Sequence, residues 1–356
     1  MKQIPQLDGI RCIAIVCVIF AHWIAWDINH EYISNFPWVH GVLLFFVLSG
    51  YLITNILLDL REKMSESLLS LKKALSTFYI RRFLRIFPIY YITIFYLFWI
   101  NFDNTRELFP WLVSYTSNFF QSTGKPVGAF TPFWSLAIEE QFYLIWPFLI
   151  LLLPSKFLLK GIYWAAVISF LSKLVFLYLY PNEWMLRAFF SLNSFLPLAL
   201  GALVAYYKRY NEKIFLSFFC NKALFYVTGI VYISLLYYFK KSERPYGFDD
   251  MEEVMCAFWG MLFIALASAS KFTYMAKWML ENRISRYIGR ISYGLYVYHM
   301  FMSALFFSVV ASWLTFQTFT KHWLWFDYAV LLLVVASLSY YLVERPLNSL
   351  KKKFPY

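Results

Sequence analysis

Ten stretches of this chain are long enough and apolar enough to cross a bilayer, and they constrain the fold more than anything else in it. They cover residues 10–29, 38–58, 83–101, 132–153, 160–180, 186–207, 222–239, 251–270, 291–314 and 324–343. About 20 apolar residues in helical form span a hydrocarbon core of about 30 Å. In lipid the backbone must satisfy its own polar groups, so only helices and closed barrels cross, and runs of this length are too long for barrel strands. The pattern predicts an all-α polytopic membrane protein with about ten transmembrane helices. Of the 356 residues, 61% are hydrophobic and 15% charged, against about a quarter charged in soluble domains. This excludes a disordered chain, a disulfide-stapled secreted module and an ordinary cytosolic enzyme. With no internal repeat or separate polar block, residues 1–356 read as a single transmembrane domain.

The formal net charge is +12. In a soluble protein that would suggest nucleic acid. Here the basic residues sit between apolar runs, so they report orientation instead and no nucleic-acid partner is expected. With the N-terminus inside, the inside connections hold Lys2, the bases of 59–82, Lys156, those of 208–222 and 271–290, and a tail with Arg345 and Lys351 to Lys353. The outside connections hold only Arg106, Lys125, Arg187, Lys240, Lys241, Arg244 and Lys321, and the first carries Asp27 and Glu31. Both termini are therefore expected in the cytoplasm. Residues 61–80 place Met64, Leu68, Leu71, Leu75 and Phe78 at helical spacing, which predicts an amphipathic helix on the cytoplasmic face. The first run carries Arg11, Trp23 and Trp26 without a small-residue cleavage site, so no cleavable signal peptide is expected. Cys12, Cys17, Cys220 and Cys256 have no CxxC spacing, which argues against a disulfide framework and a zinc site.

Ionisable groups inside a span are costly and usually serve a purpose. The first span has Arg11 and His22, about 16 Å apart along a helix axis. Arg11 belongs near the cytoplasmic interface, where it is an end anchor or an anion ligand, and His22 near mid-membrane. The fourth span, FWSLAIEEQFYLIWP, brings Glu139 and Glu140 roughly 10 Å below its outer start. Glu139 shares a helix face with Ser135, Phe142, Tyr143 and Trp146. A carboxylate beside His22 would orient the imidazole; the alternative is a structural pair with an arginine. The third span begins RRFLRIFP, and Arg81, Arg82 and Arg85 cluster at its cytoplasmic edge, either as a polyphosphate site or as a positive-inside anchor. His299 lies about eight residues into the ninth span, as a second polar partner or a packed histidine. Ser49 and Gly50 allow close helix approach in the second. No Walker loop, HExxH, GxSxG or metal-spaced His/Cys cluster is present, so neither a serine hydrolase nor a metal cofactor is indicated.

Taken together, these motifs resemble the membrane acyltransferase-3 family along the whole chain. LDGIRCIAIVCVIFAHW resembles its opening motif, in which ten residues separate an arginine from a histidine, as between Arg11 and His22. FFVLSGYLIT, RRFLRIFPIY, FWSLAIEEQFYLIWP, ISYGLYVYH and YYLVERP resemble later motifs in the same order. The resemblance implies acyl-CoA as donor and transfer across the membrane, with His22 central to catalysis; acetyl-CoA is the expected donor because acetyl is the common acyl group. It implies that Arg11, Arg81, Arg82 and Arg85 bind the CoA. Some relatives carry an added C-terminal SGNH esterase-like domain, which is not expected here. Residue chemistry agrees. The anionic end of CoA suits arginines, and its pantetheine arm, on the order of 15–20 Å, matches the helix rise from Arg11 to His22.

The expected scheme has His22 as general base or transient acyl carrier, Glu139 or less favourably Glu140 as its orienting group, and Trp134, Ser135 or Ser49 as an oxyanion donor. The expected acceptor is a sugar hydroxyl of a surface polysaccharide, lipopolysaccharide O-antigen first, at the outer face of a bacterial inner membrane. The rivals are an acyltransferase acting on a small molecule such as a macrolide, and a proton-coupled transporter. A transporter would show matching Gly/Pro-broken halves, which are not evident.

Overall fold

The computed structural model describes residues 4–25, 38–239, 244–306, 308 and 321–355. Its main helices are α1 (Pro5–Phe20), α2 (Gly41–Ser65), α3 (Leu71–Ile100), α4 (Phe133–Leu152), α5 (Ser155–Leu179), α6 (Phe195–Tyr210), α7 (Lys222–Tyr238), α8 (Phe248–Ser268), α9 (Arg283–Tyr298) and α10 (Lys321–Ser339). There is no strand among the described residues.

Among the described residues, seven helices are long and apolar enough to cross a membrane: Pro5–Trp23, Gly41–Ser65, Leu71–Ile100, Phe133–Leu152, Ser155–Leu179, Phe248–Ser268 and Trp325–Lys353. Glu212–Phe219 and α7 meet at 41° and make an eighth if this bent pair is one span. The protein is an all-α, multi-pass membrane protein. The count reaches the expected ten only if α6 and α9 also cross. The run at 186–207 is interrupted, because Trp184–Phe189 and a 3-10 turn at Ser191–Ser194 precede α6. Helix α9 opens with Arg283, Arg286 and Arg290, which lowers its apolarity. The end of the ninth run at 314 lies outside the described residues, as do Lys2, Trp26, Asp27, Glu31, Lys240, Lys241 and the side chain of Lys321.

The amphipathic helix expected over 61–80 does not exist as a separate element. Helix α2 continues to Ser65, Ser67 turns the chain with φ +59°, and Ser70 caps α3 by accepting from the Lys73 N–H at 3.3 Å. The apolar positions divide accordingly. Phe78 is buried within α3, whereas Leu68 is 71% exposed in the turn. A serine whose side chain captures a backbone N–H starts a helix more strongly than apolar spacing continues one.

Small residues set the tightest packing. A Cβ on Gly50 of α2 would overlap the Leu198 carbonyl of α6, and one on Gly201 would overlap the Val47 carbonyl in return. Backbone approach of this kind is how helices gain van der Waals contact where lipid removes the hydrophobic drive. Basic residues clamp one end of the bundle. Arg61 donates to the Ile150 and Leu153 carbonyls at 2.5 Å, and Arg209 pairs with Asp59. At the other end Arg187 and Lys173 share Asp250 at 3.2 and 3.5 Å, and Arg244 meets Glu252 at 2.7 Å. That buried network holds α5, α8 and Trp184–Phe189 in one arrangement, because leaving any member unpaired there is costly.

Candidate active site

A cavity of about 90 Å³ lies between α1, α2, α3, α4 and α9. Its polar walls are Arg11, Ser49, Arg82, Arg85, Ser135, Glu139, Glu140, Tyr143, Ser292, Tyr293 and Tyr296. Arg82 and Arg85 also line a recess of about 590 Å³ at the basic end of the bundle, with Asp59, Glu62, Lys63, Glu66, Arg81 and Lys351. One pair of guanidiniums therefore stands on both the inner cavity and the outer recess. Helix spacing explains this: Arg81 and Arg85 are one turn apart, with Arg82 three residues before Arg85.

The three arginines of α3 differ in their bonds. The Arg81 guanidinium donates to the carbonyls of Lys351 and Phe354 at 2.9 and 2.8 Å, tying the C-terminal segment to α3. Arg82 is buried between the rings of Phe78 and Tyr143, 5.8 Å from each centroid. Its Nε has no hydrogen-bond partner among the described residues. Arg11 donates to Asp8 at 2.6 Å, one turn earlier in α1, which steadies its guanidinium at the cavity wall.

Glu139 accepts a hydrogen bond of 2.7 Å from Ser49 Oγ, across the α2–α4 contact. The partners of His22 are different groups. Its Nδ1 lies 2.9 Å from the Val18 carbonyl and 3.2 Å from His299 Nε2. The expected pairing of Glu139 with His22 is thus absent among the described bonds, and His299 stands where a carboxylate was expected. Helical spacing tells which residues share a face but not how two helices are rotated against each other. Both histidines sit on irregular turns. His22 is in a π turn, Ala21–Ala25, and His299 opens a 3-10 turn, His299–Phe301. Such turns re-aim side chains and recur at functional sites.

The groups considered as oxyanion donors are mostly engaged. The Ser49 hydroxyl is given to Glu139. Ser135 Oγ lies 2.6 Å from the Tyr296 hydroxyl and 3.0 Å from the Pro132 carbonyl. Trp134 packs edge-on against Phe46 and tilted against Phe189. Of the face shared with Glu139, Ser135 and Tyr143 reach the cavity, while Phe142 and Trp146 stack on each other at 4.6 Å. Sequence reasoning missed Tyr296. It lines the cavity, and its carbonyl accepts from His299 Nδ1 at 2.7 Å, so it links the arginine–glutamate chamber to the histidine pair. Its position three residues before His299 in ISYGLYVYH was the available signal.

The arrangement offers a cationic chamber for an anionic donor, with two carboxylates on its wall and a histidine pair joined to it through Tyr296. Comparison with known proteins bears on this chemistry. A family model described as an acyltransferase domain matches residues 4–344. The peptidoglycan O-acetyltransferase OatA of Listeria monocytogenes is 31% identical over 327 residues, covering 84% of this chain and 49% of that protein. A putative peptidoglycan O-acetyltransferase of Bacillus subtilis is 28% identical, covering 98% and 55%. A putative O-acetyltransferase of Staphylococcus aureus is 28% identical, covering 97% and 57%. The chain spans about half the length of these curated relatives. No solved structure matches it. The family match runs almost from end to end and includes every residue of the chamber, so this chain belongs to the acyltransferase-3 family of membrane proteins.

Proposed function

We propose that this protein is a membrane O-acetyltransferase that moves an acetyl group from cytoplasmic acetyl-CoA to a sugar hydroxyl of a cell-surface polysaccharide. The observation that carries the reading is the continuity of Arg82 and Arg85 between the basic recess and the inner cavity. The recess suits the phosphates of CoA, with guanidiniums that bond phosphate in pairs.

In this scheme the recess arginines hold the nucleotide and the pantetheine arm enters the chamber. His22 accepts the proton of the acceptor hydroxyl as its oxygen attacks the thioester carbonyl. The carbon–sulfur bond breaks, and the proton passes from His22 to the departing sulfur, so the imidazole ends neutral. Arg11, Arg82 and Arg85 stay on the anionic end of CoA, at the far end of the pantetheine arm, and so position the thioester. The names of the Listeria and Bacillus relatives favour peptidoglycan as acceptor over O-antigen. The same scheme puts the protein in a bacterial plasma membrane, with both termini in the cytoplasm.

The test is proton NMR of surface polysaccharides from wild-type, deletion and His22→Ala strains, with peptidoglycan and any O-antigen purified separately. Loss of O-acetyl methyl signals from one polymer in both mutants, restored by the wild-type gene, supports the reading and names the acceptor. Identical spectra for every polymer overturn it.

A further inference from the structure

We infer that His299 is a positioning residue that holds the His22 imidazole with its proton on Nδ1, so that Nε2 is the nitrogen that takes the acceptor's proton. The inference rests on the reading of His22 as the base and adds which nitrogen acts and what selects it.

What each atom can do in a hydrogen bond decides the tautomer. A carbonyl oxygen only accepts, and a neutral imidazole has one N–H. The Tyr296 carbonyl faces His299 Nδ1 at 2.7 Å, so that nitrogen carries the proton of His299. His299 Nε2 is then a bare lone pair, and it faces His22 Nδ1 at 3.2 Å. The Val18 carbonyl faces the same His22 nitrogen at 2.9 Å. Two acceptors converge on His22 Nδ1, so it must donate, and its N–H is shared between them. In the other tautomer, three lone-pair groups would point at one another with no proton between them. That arrangement is costly for buried groups.

His299 is built to hold this orientation. It is 1% exposed. Its own carbonyl accepts from Trp23 Nε1 at 3.1 Å, which anchors the 3-10 turn to the residue after His22. The two rings are 5.0 Å apart at 48°, so they meet nitrogen to nitrogen rather than stacking. The carboxylate expected in this role is bonded to Ser49 instead. A neutral histidine, with its own tautomer set by a main-chain carbonyl, does the orienting.

The experiment uses the full chain in lipid nanodiscs with ¹⁵N-labelled histidine. The protein has five histidines, and the His22 signals are those lost in His22→Gln. The expected wild-type spectrum at neutral pH shows His22 protonated at Nδ1 and bare at Nε2. In His299→Phe, which keeps the volume and removes the acceptor, a second population protonated at Nε2 is expected. With acetyl-CoA and the acceptor polymer, the same variant should lose about 10²-fold in kcat, the lower end of what a placed base contributes. Its KM for acetyl-CoA should be unchanged. His299→Gln, which can present an oxygen near the Nε2 position, should recover most of the lost rate.

A wild-type spectrum with His22 protonated at Nε2 overturns the inference. So does a His299→Phe protein that keeps both the wild-type spectrum and the wild-type kcat. If His299→Phe does not fold, the wild-type spectrum alone decides. An active His22→Ala enzyme defeats the reading of His22 as base and leaves the tautomer assignment standing, so the two failures are distinguishable.

Discussion

Ser49 Oγ lies 2.7 Å from Glu139 Oε1, and this bond joins the middle of α2 to the first half of α4 inside the chamber. A hydroxyl beside a carboxylate donates, so the Ser49 proton is committed to Glu139. Removing it in Ser49→Ala leaves a carboxylate oxygen short of a partner in a confined site. The expected loss is about 1–3 kcal/mol of stability. A lower thermal midpoint in detergent, with acetyl-CoA binding retained, is the outcome to look for. An unchanged midpoint would mean that the bond contributes nothing.

Glu139 and Glu140 stand side by side on the cavity wall. Glu139→Gln retains an oxygen for the Ser49 hydroxyl but removes the negative charge beside Arg82 and Arg85. This variant should fold as the wild type and lose transfer rate, whereas Glu139→Ala should lose stability as well. Comparing thermal midpoints with turnover separates the two roles. Equal midpoints for both variants would show that the Ser49 bond is not what Glu139 supplies to the fold.

The arginines of α3 should divide by their bonds. Arg82→Ala and Arg85→Ala remove guanidiniums shared by recess and chamber, so acetyl-CoA affinity should fall about tenfold or more in each. Arg81→Ala should act differently. It frees the carbonyls of Lys351 and Phe354, so limited proteolysis should cut the C-terminal segment faster. Calorimetric titration with acetyl-CoA and a timed digest read the two effects. A wild-type digest for Arg81→Ala would remove the clamp from this account.

Two glycines should differ sharply when replaced by alanine. A Cβ at Gly50 meets the main chain of α6 at Leu198, which cannot move without shifting the helix. At Gly260 a Cβ first meets the end of the Leu44 side chain at 3.1 Å, which can give way. Gly50→Ala should destabilise by about 1–3 kcal/mol, and Gly260→Ala by much less. Fluorescence-monitored size exclusion after a heat ramp would rank them. Equal losses would contradict the packing described for α2 and α6.

Much of this architecture was legible from apolar run length. The stretch at 132–153 became α4 to within one residue at each end, and 38–58 became α2, which starts three residues later and runs seven residues further. Helix α3 was missed by twelve residues at its start because Ser70 and Ser67, not the hydropathy, decide where it begins. The site was legible residue by residue and illegible as a set of pairs. Ionisable groups inside apolar runs singled out Arg11, His22, Glu139 and His299, and the structure places Arg11 and Glu139 on the cavity wall and the two histidines against each other. Their partners depend on helix rotation, and the π turn at Ala21–Ala25 changes that rotation in a way no residue of AHWIA announces.

That turn makes the distance from Arg11 to His22 a ruler as well as a motif. A π turn accommodates one residue more than the α-helix it interrupts, so losing a single residue from it would restore a regular helix. Each helical residue turns its side chain by about 100°. A chain shortened by one position there would keep its arginine, its histidine and its hydropathy unchanged, yet swing the imidazole away from His299. Two chains with the same motif letters can therefore differ in competence through arithmetic alone. When one is sorted as active or silent, the count between the letters has to be read along with the letters themselves.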